Sequence, residues 1–393
     1  MAVFNKADIL LPKTDMAKWS VVACDQFTSQ PEYWEETARI AGNSPSALNL
    51  VFPEAFLSEG SARIAKINQT MQEYLDSGLF TEYKNSLIYI ERTVGGKCRQ
   101  GLIGAVDLER YDFTKGAKSA IRATEGTVLE RIPPRVEIRR DAPLELPHIM
   151  LLADDIDRTI IEPLEKCEKT PLYDFELMQN GGRLKGWLLS DGAANSALDA
   201  IAELEKSCPD GLLFAVGDGN HSLATAKTCW EEKKKTLSAV EQETHPARFC
   251  LVELVNIHSE ALIFEPIHRV VFGCEPEKLI AELEKEYGGE GHIIKYVHKN
   301  GEGEISLSKD RAKLAVGALQ SFLDSIGAEV DYIHGGDVCR ELGKREGNIG
   351  FMLPKPDKGD LFASVIKDGA LPRKTFSMGE ANEKRYYAEV KKI

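Results

Sequence analysis

Apolar residues recur along the chain at two spacings, one typical of buried strands and the other of helices. A short continuous apolar run at Leu212–Val216 predicts a strand that is covered on both faces, and Ile149–Ala153 is a second apolar run, closed by Asp154-Asp155. Between Glu59 and Ser77 the apolar residues recur every three or four positions, and Gly78 follows as a stop signal. This second pattern predicts a helix.

The same patterns predict strands and helices along the whole chain. The further strands are Trp19–Ala23, Ser86–Thr93, Arg99–Asp107, Phe249–Val255, Ala261–Phe264, Asp331–His334 and Ile349–Leu353. The further helices are Pro31–Ile40, Ala194–Lys206, Pro276–Tyr287, Ala312–Ile326 and Gly359–Lys367. Gly95-Gly96 and Gly181-Gly182 each separate two apolar runs and predict hairpins. Because the two element types are intermixed, the fold class is α/β or α+β. We divide the chain into an N-terminal α/β segment at 1–110, a core at 111–275 and a C-terminal α/β segment at 276–393.

Composition and charge narrow the class of protein. The 393 residues are 43% hydrophobic and 28% charged, as is typical of globular proteins. No apolar run reaches the roughly 18 to 20 residues that span a bilayer, and the start of the chain does not resemble a secretory signal. The eight cysteines include no CxxC pair, which favours reduced thiols in the cytoplasm. A net charge of -13 makes nucleic acid a poor partner, so we expect a small-molecule substrate, no membrane and no nucleic acid. The oligomeric state stays open.

The strongest local signal for chemistry is a glycine-bracketed turn between a strand and a helix. The strand at 212–216 runs directly into Gly217-Asp218-Gly219-Asn220-His221-Ser222, and the helix then extends to about Lys235. Glycine permits close approach of a ligand to the backbone, and the first turn of a helix favours an anion such as phosphate. Asp218 is suited to a metal ion or a proton, and His221 to an anion or to proton transfer.

A purely structural interpretation of this turn is equally open. Asp218 or Asn220 caps the helix in that interpretation, the glycines serve the turn, and His221 is a satisfied polar residue. The sequence matches neither a Walker A loop nor a dinucleotide-binding fingerprint, because no Gly-Lys-Ser/Thr follows and the glycine spacing differs.

Glu125 is the second carboxylate of interest. It stands beside a glycine between Arg122 and Thr127, where no periodic pattern explains a charge. The functional interpretation is an acid/base residue or a metal ligand, and the alternative is a solvated loop charge.

Arginines recur at spacing four at Arg131, Arg135 and Arg139. Pro133-Pro134 lies between them and predicts that no helix runs through this segment. The arginines form either a phosphate-facing strip or an ordinary basic surface.

Three other positions carry groups with possible chemistry. His268-Arg269 and Lys374-Thr375 place cations in turns next to apolar runs, where surface features and ligand clamps are alternatives. Cys24 follows a predicted strand, and we interpret it as a buried, inert thiol rather than a reactive one. The remaining histidines show no metal-ligand spacing.

Five short motifs, in this order along most of the chain, resemble those of the domain of unknown function (DUF) 1015 family. They are Ala23-Cys24-Asp25-Gln26, Glu125 with Thr127, Asp218-Gly219-Asn220-His221, Ile267-His268-Arg269 and Pro372-Arg373-Lys374-Thr375-Phe376. Five motifs in order are more specific than any one of them. The Asp-Gly-x-His turn in addition resembles the signature of the ParB/sulfiredoxin superfamily, which includes free-serine kinases.

This resemblance implies a ParB/sulfiredoxin-like nucleotide-binding core within 111–275, with ATP or ADP and Mg²⁺ as cofactors. It implies that Asp218, Asn220 and His221 face the phosphates or the metal, which Asp218 holds, and that Glu125 is the base. The residues that we expect to bind the nucleotide are Gly217, Gly219, Asn220, Ser222, Thr127, Arg269 and Lys374.

The turn departs from these families at two positions. Sulfiredoxins carry a reactive cysteine where this chain has Asn220, so redox chemistry is not expected. The usual residue after the histidine is arginine, and here it is Ser222. The missing cation is then supplied by Lys227, Arg269 or Lys374, or the nucleotide is bound differently.

The leading hypothesis is a phosphotransferase that uses ATP or ADP, with Mg²⁺, on a small hydroxyl-bearing metabolite, for example a serine-like one. The catalytic residues would be Glu125, Asp218 and His221. Two other classes stay open: a non-catalytic nucleotide-binding or sensing protein, and an enzyme that binds a small carboxylate without nucleotide.

Overall fold

The computed structural model describes residues 2–126, 132–372 and 374–393, apart from the side chain of Pro134. The described chain forms two compact units. The first contains residues 2–123, 132–262 and 380–393, and the second contains 124–126, 263–372 and 374–379. The C-terminal segment Glu380–Ile393 therefore belongs with the N-terminal part of the chain.

The strands and helices have the following bounds. The strands of the first unit are β1 (Phe4–Asn5), β2 (Ala7–Pro12), β3 (Phe80–Ser86), β4 (Ile88–Val94), β5 (Lys97–Asp107), β6 (Tyr111–Asp112), β7 (Ile121–Ala123), β8 (Leu144–Glu145), β9 (Met150–Ala153), β10 (Lys169–Leu177), β11 (Gly182–Leu189), β12 (Phe214–Asp218) and β13 (Phe249–Asn256). The second unit has β14 (Phe264–Val271), β15 (Gly291–His298), β16 (Gly301–Ser308), β17 (Val330–His334), β18 (Ile349–Met352) and β19 (Phe376–Met378), and β20 (Lys391–Lys392) returns to the first unit. The helices of the first unit are α1 (Met16–Trp19), α2 (Pro31–Ala41), α3 (Gly60–Asp76), α4 (Ile132–Arg140), α5 (Asp191–Ser207), α6 (Asn220–Lys233) and α7 (Ala239–Thr244). Those of the second unit are α8 (Pro276–Tyr287), α9 (Ala315–Ser325), α10 (Gly336–Gly343) and α11 (Asp360–Asp368).

A large mixed sheet forms the centre of the first unit. Its strand order is β10-β11-β4-β5-β13-β9-β12-β7-β6, with β1 paired to β5. Successive residues of β4 pack into different clusters, since Ile88 and Ile90 belong to one and Tyr89 to the other. Because side chains alternate between the faces of a sheet, both faces of this one are covered, which explains the continuous apolar runs.

The second unit is built on an antiparallel sheet. Its order is β16-β15-β18-β14-β17, and β19 pairs with the start of β14. Helix α9 is buried along most of its length, and Leu319, Phe322 and Leu323 are fully covered.

The C-terminal segment crosses the first unit in an extended form. It makes antiparallel bridges from Tyr386 to Val22 and from Val390 to Leu10, and β20 pairs with β8. Arg92 fixes the start of the segment by donating to the carbonyl oxygens of Asn382, at 2.7 Å, and of Lys384. These backbone contacts hold the segment without a helix or a long strand of its own.

A buried ion network anchors this segment in the sheet. Glu253 of β13 accepts from Arg99 Nε at 3.0 Å with one oxygen and from Arg385 Nε at 3.0 Å with the other. Arg385 also donates to Glu389 at 2.7 Å and to the carbonyl oxygen of Pro147. Burial alone would raise the pKa of Glu253, but the positive charges of Arg99 and Arg385 hold it below the ordinary value. The carboxylate is therefore charged and compensated inside the protein.

The structure confirms the mixed α/β class and most of the predicted elements. The hairpins around Gly95-Gly96 and Gly181-Gly182 form as β4–β5 and β10–β11. The predicted helix at Pro276–Tyr287 has the same bounds as α8, and the helix predicted between Glu59 and Ser77 is α3.

Three local predictions are wrong. Trp19 ends helix α1, and the residues after it are extended with a single bridge at Val22 rather than a strand at Trp19–Ala23. The strand predicted at Ala261–Phe264 begins only at Phe264. A helix, α4, does form at Ile132–Arg140, because Pro133-Pro134 lies in its first turn, where an N–H has no partner within the helix to lose.

Arginines 135 and 139 are paired with carboxylates of the protein. Arg135 donates to Glu54 and Arg139 to Glu145. Carboxylates of the first unit thus neutralise both charges. Neither alternative from the sequence, a phosphate-facing strip or an ordinary basic surface, is favoured for Arg135 and Arg139. Arg131 lies outside the described residues.

Replacing Glu253 by Gln should lower the free energy of unfolding by about 3–5 kcal/mol, because it leaves Arg99 and Arg385 buried without their counter-charge. A carboxyl group with a depressed pKa stabilises the fold above its ordinary pKa and loses that effect as the pH falls. Urea denaturation should therefore show that the free energy of unfolding of the wild type decreases as the pH is lowered below about 4.5. In the variant the same decrease should be less steep. Glu203→Gln, which removes an exposed pairing with Lys206, is the matched control and should leave the midpoint unchanged. Equal stability of wild type and Glu253→Gln would contradict the importance of this network.

Candidate functional site

The turn between β12 and α6 is shaped by a bulge and a left-handed glycine. Val216 pairs with Leu151 and Asp218 with Met150, so the residue between them, Gly217, has no partner in the register with β9. Gly219 then adopts φ 78° and ψ 28° and is the residue before the first turn of α6. The bulge and the glycine together turn the chain from the sheet into the helix.

Position 219 strongly favours glycine, because its φ is left-handed and a Cβ would be crowded by Ile149. A Cβ there would lie 3.0 Å from the Cα of Ile149 and 3.1 Å from its Cγ1. The backbone of the turn thus packs directly on the residue before β9, in a conformation that other residues rarely adopt. This contact also brings His148, the neighbour of Ile149, towards the start of α6.

The first turn of α6 carries no acidic side chain. The partial positive charge of the helix N-terminus is therefore not offset by a carboxylate within that turn. Asn220, His221 and Ser222 are the first residues of the helix, and each is partly exposed. His221 accepts a hydrogen bond from Thr225 Oγ1 at its carbonyl oxygen, at 2.7 Å, which is an ordinary contact within the helix.

Asp218 is paired with a lysine that the sequence did not assign to the site. Its Oδ1 accepts from the N–H of Gly219 at 3.0 Å, and its Oδ2 lies 3.4 Å from Nζ of Lys384. The two side chains keep only 18% and 16% of their exposure, so the pair is largely shielded from bulk water. Lys384 comes from the C-terminal segment, next to the anchored Arg385. The cation beside Asp218 is thus delivered from the far end of the chain.

His148 links the turn to the C-terminal segment through hydrogen bonds at both ring nitrogens. Nε2 lies 3.1 Å from Oγ of Ser222, and Nδ1 lies 2.8 Å from the hydroxyl of Tyr387. The carboxylate of Asp25 lies 3.9 Å from the same Nε2. His148 is buried, whereas Asp25 keeps 26% of its side-chain exposure. A hydroxyl, an imidazole and a carboxylate are thus grouped beside the anion-favouring end of α6.

Asp25 is held as a carboxylate in this group. Burial would raise its pKa, but His148, the hydrogen bond from Gln26 and the positive charges of Arg135 and Lys384 together lower it. The neighbouring Cys24 behaves in the opposite way, because burial and the charge of Asp25 raise the pKa of its thiol to about 12. A thiol of this kind is protonated at neutral pH, as the interpretation of Cys24 as inert requires.

The second unit holds the other predicted site residues. Glu125 forms a parallel bridge with Leu371, and Lys374 is exposed with a positive φ of 58°. Arg269 is fully buried and donates to Oε1 of Gln320 at 3.1 Å and to the carbonyl oxygen of Lys374 at 2.8 Å. Burial lowers the pKa of Arg269 to about 10, partly offset by Tyr332 and Glu125. These contacts are structural, and the nucleotide-binding roles of Arg269 and Lys374 and the acid/base role of Glu125 stay predictions. Thr127 lies outside the described residues.

Lys227, another predicted source of the missing cation, is engaged on its own helix. Its Nζ lies 2.7 Å from Oε1 of Glu231, one turn further along α6. Lys384 is the better-placed residue, because it lies beside Asp218 itself.

Sequence reasoning missed His148, Lys384 and Tyr387 as members of the site, and it assigned no role to Asp25. The signals were present as polar residues inside apolar surroundings, in Pro147-His148-Ile149 and in Lys384-Arg385-Tyr386-Tyr387. No local pattern shows that these two segments meet, since they are more than 200 residues apart in the chain.

The family model described as "Protein of unknown function (DUF1015)" matches residues 6–370. The chain belongs to the DUF1015 family. No curated protein sequence matches this DUF1015 protein.

Several solved structures are similar to it at low sequence identity. A C-terminally truncated SbnI from Staphylococcus aureus is 14% identical with a TM-score of 0.37, over 70% of this chain and 83% of that one. A free serine kinase in complex with AMP is 12% identical with a TM-score of 0.38, over 73% and 90%. A mutant free serine kinase in complex with ADP is 10% identical with a TM-score of 0.40, over 75% and 93%. At identities and scores this low, the likeness carries nothing about activity over to this chain.

Within residues 2–126, 132–372 and 374–393, no three His, Cys, Asp or Glu side chains are grouped so as to hold a metal ion. In the same part of the chain, each helix is too short or too polar to cross a bilayer.

Replacing Gly219 by Ala should destabilise the protein by about 2–4 kcal/mol, since it adds a contact with the backbone of Ile149 to the cost of a left-handed residue. Gly211→Ala is the matched control, because Gly211 also has a positive φ, of 68°, but has open space around its Cβ position. We expect chemical denaturation to show a loss of about 1–2 kcal/mol for the control. Equal losses for the two variants would mean that the close approach at Gly219 is not a constraint.

Proposed function

We propose that this chain is a phosphotransferase that moves a phosphoryl group from ATP or ADP to a small hydroxyl-bearing metabolite. The observation that carries the proposal is the pairing of Asp218 with Lys384 at the start of α6. A metal-binding carboxylate, a cation and the positive end of a helix are the groups that phosphoryl transfer requires around its phosphates.

The electrostatics of the turn favour a phosphate rather than a neutral ligand. The N-terminus of α6 contributes positive potential that no acidic residue of its first turn opposes, and Lys384 offsets the negative charge of Asp218 just before the helix. The shielding of Lys384 and Asp218 from water strengthens their interactions with a bound ion. In this proposal Lys384 takes the place of the arginine that Ser222 replaces.

The residues at the turn fit a Mg²⁺ ion that is shared between the protein and the phosphates of a nucleotide. A single carboxylate, Asp218, does not make a protein-only cage, but Mg²⁺ at nucleotide sites is held by one or two carboxylates together with phosphate oxygens and water. Asp218 would hold the ion, which would neutralise charge on the phosphates. Lys384, the helix terminus and Ser222 would orient the phosphates directly.

Lys384→Met should weaken the binding of ATP or ADP by roughly 10- to 100-fold, because it removes a charge-assisted contact with phosphate. The measurement is the concentration dependence of thermal stabilisation by ATP or ADP, each with and without Mg²⁺. Lys227→Met is the matched control, since Lys227 is paired with Glu231 on the same helix, and it should bind nucleotide as the wild type does. If neither nucleotide stabilises the wild type, the proposed function is wrong, and binding of a small carboxylate without nucleotide becomes the better hypothesis.

Asp218→Asn should lower turnover by at least about 100-fold while changing nucleotide affinity much less, because catalysis of this kind depends on electrostatic stabilisation of the transition state. The assay is nucleotide consumption in the presence of a panel of hydroxyl-bearing metabolites, serine among them. A variant as active as the wild type would rule out the role of Asp218. Stabilisation by nucleotide without turnover on any acceptor would instead favour a nucleotide sensor.

A further inference from the structure

We propose that Ser222 is a nucleophile that carries the phosphoryl group covalently between donor and acceptor, with His148 as its base. Tyr387 and Asp25 are positioning residues for that base. This inference rests on the proposed function, since the donor is the nucleotide whose phosphates lie at the start of α6.

The first support is the hydrogen bond between the two reacting groups. Oγ of Ser222 and Nε2 of His148 are 3.1 Å apart, within the range for proton transfer from a hydroxyl to an imidazole. A weakly acidic hydroxyl becomes a nucleophile when such a base is in reach and is itself oriented by a third group. Both conditions are met here.

Tyr387 is the group that orients the imidazole. Its hydroxyl lies 2.8 Å from Nδ1 of His148 and accepts from the N–H of Cys24 at 3.1 Å. When Nδ1 carries the ring proton and donates it to Tyr387, Nε2 has a free lone pair for the proton of Ser222. The N–H of Cys24 donates to the tyrosine oxygen and holds that oxygen in place, as does the burial of Tyr387, which is 1% exposed.

Asp25 supplies the charge that the base needs once it is protonated. The carboxylate lies 3.9 Å from Nε2, too far for a strong hydrogen bond but close enough to stabilise an imidazolium. A carboxylate beside a catalytic histidine acts in this way without taking the proton itself. The depressed pKa of Asp25 is consistent with a permanent negative charge.

The position of Ser222 suits attack on a phosphate. It is the third residue of α6, so a phosphate at the N-terminus of the helix lies next to its hydroxyl. Its side chain is partly exposed, whereas His148 behind it is buried. The nucleophile therefore faces the ligand and the base does not.

The chemistry consists of two displacements. In the first, Oγ of Ser222 attacks the terminal phosphorus, a new O–P bond forms, and the bridging P–O bond breaks with its electron pair leaving on the nucleotide. The proton of Oγ passes to Nε2 of His148 and then to solvent. In the second, the acceptor hydroxyl attacks the phosphoserine and gives its proton to Nε2, which returns it to Oγ as the O–P bond to Ser222 breaks. Nothing is oxidised or reduced.

The test needs no knowledge of the acceptor. The full-length protein is incubated with ATP, or separately ADP, and Mg²⁺, and intact mass with peptide mapping locates any added phosphoryl group. We expect phosphoserine at Ser222 in the wild type and none in Ser222→Ala. His148→Gln should form it at least about 100-fold more slowly. Isotope exchange without acceptor, between ATP and labelled ADP or between ADP and labelled AMP according to the donor, should accompany the phosphoenzyme, because the first displacement is reversible.

Controls separate this inference from the proposed function and from damage to the fold. Ser207→Ala removes a serine of the same unit whose hydroxyl donates to the carbonyl of Leu204, and it should be labelled as the wild type is. Asp25→Asn, at a partly exposed position, should slow labelling even if His148→Gln folds poorly.

Stabilisation by nucleotide without phosphoserine or exchange would overturn the inference and leave the proposed function standing. Phosphoserine at another residue, or label that is not removed by the product nucleotide (ADP after ATP, AMP after ADP), would also overturn it, and absence of any nucleotide effect would overturn both.

Discussion

The course of the C-terminal segment depends on a buried charge, the carboxylate of Glu253 on the central strand β13. Two arginines from distant parts of the chain, Arg99 and Arg385, must reach it, because an unpaired carboxylate in this position would cost several kcal/mol. Arg385 reaches it from the C-terminal segment, which is extended and bridged to Val22 and Leu10. One electrostatic requirement thus determines the course of the last residues of the chain.

The ion network around Glu253 also sets the geometry of the candidate site at the start of α6. Once Arg385 is fixed, its neighbours Lys384 and Tyr387 have little choice of position, and they meet Asp218 and His148 respectively. Arg385 also holds the carbonyl of Pro147, the residue before His148. The turn at Gly219 approaches from the other side, because it packs on Ile149 without a side chain between them. A structural ion network and a glycine contact therefore place the groups of the proposed site, although neither is assigned a chemical role.

The surroundings of an ionisable side chain decide properties that its position in the sequence does not show. Asp25 and Cys24 are adjacent, yet cations keep the aspartate charged whereas the same surroundings keep the thiol protonated. Arg269 and Lys384 both resemble phosphate ligands in sequence. Arg269 donates its hydrogen bonds to Gln320 and to backbone carbonyl oxygens, whereas Lys384 lies beside the carboxylate of Asp218 at the start of a helix. Only the surroundings distinguish these two cations, of which the proposed function assigns Lys384 to a phosphate.

The sequence by itself determined the mixed α/β class, the order of most strands and helices, and the glycine-bracketed turn at Asp218, because periodicity, hairpin glycines and helix starts are local properties of a few consecutive residues. It failed where position within an element matters, as at Pro133-Pro134, which the first turn of α4 accommodates. The tertiary structure alone decided that Asp25, His148, Lys384 and Tyr387 belong together. Their meeting depends on sheet register and on a buried charge that is neutralised from the far end of the chain, and such long-range constraints leave no periodic signal in the sequence.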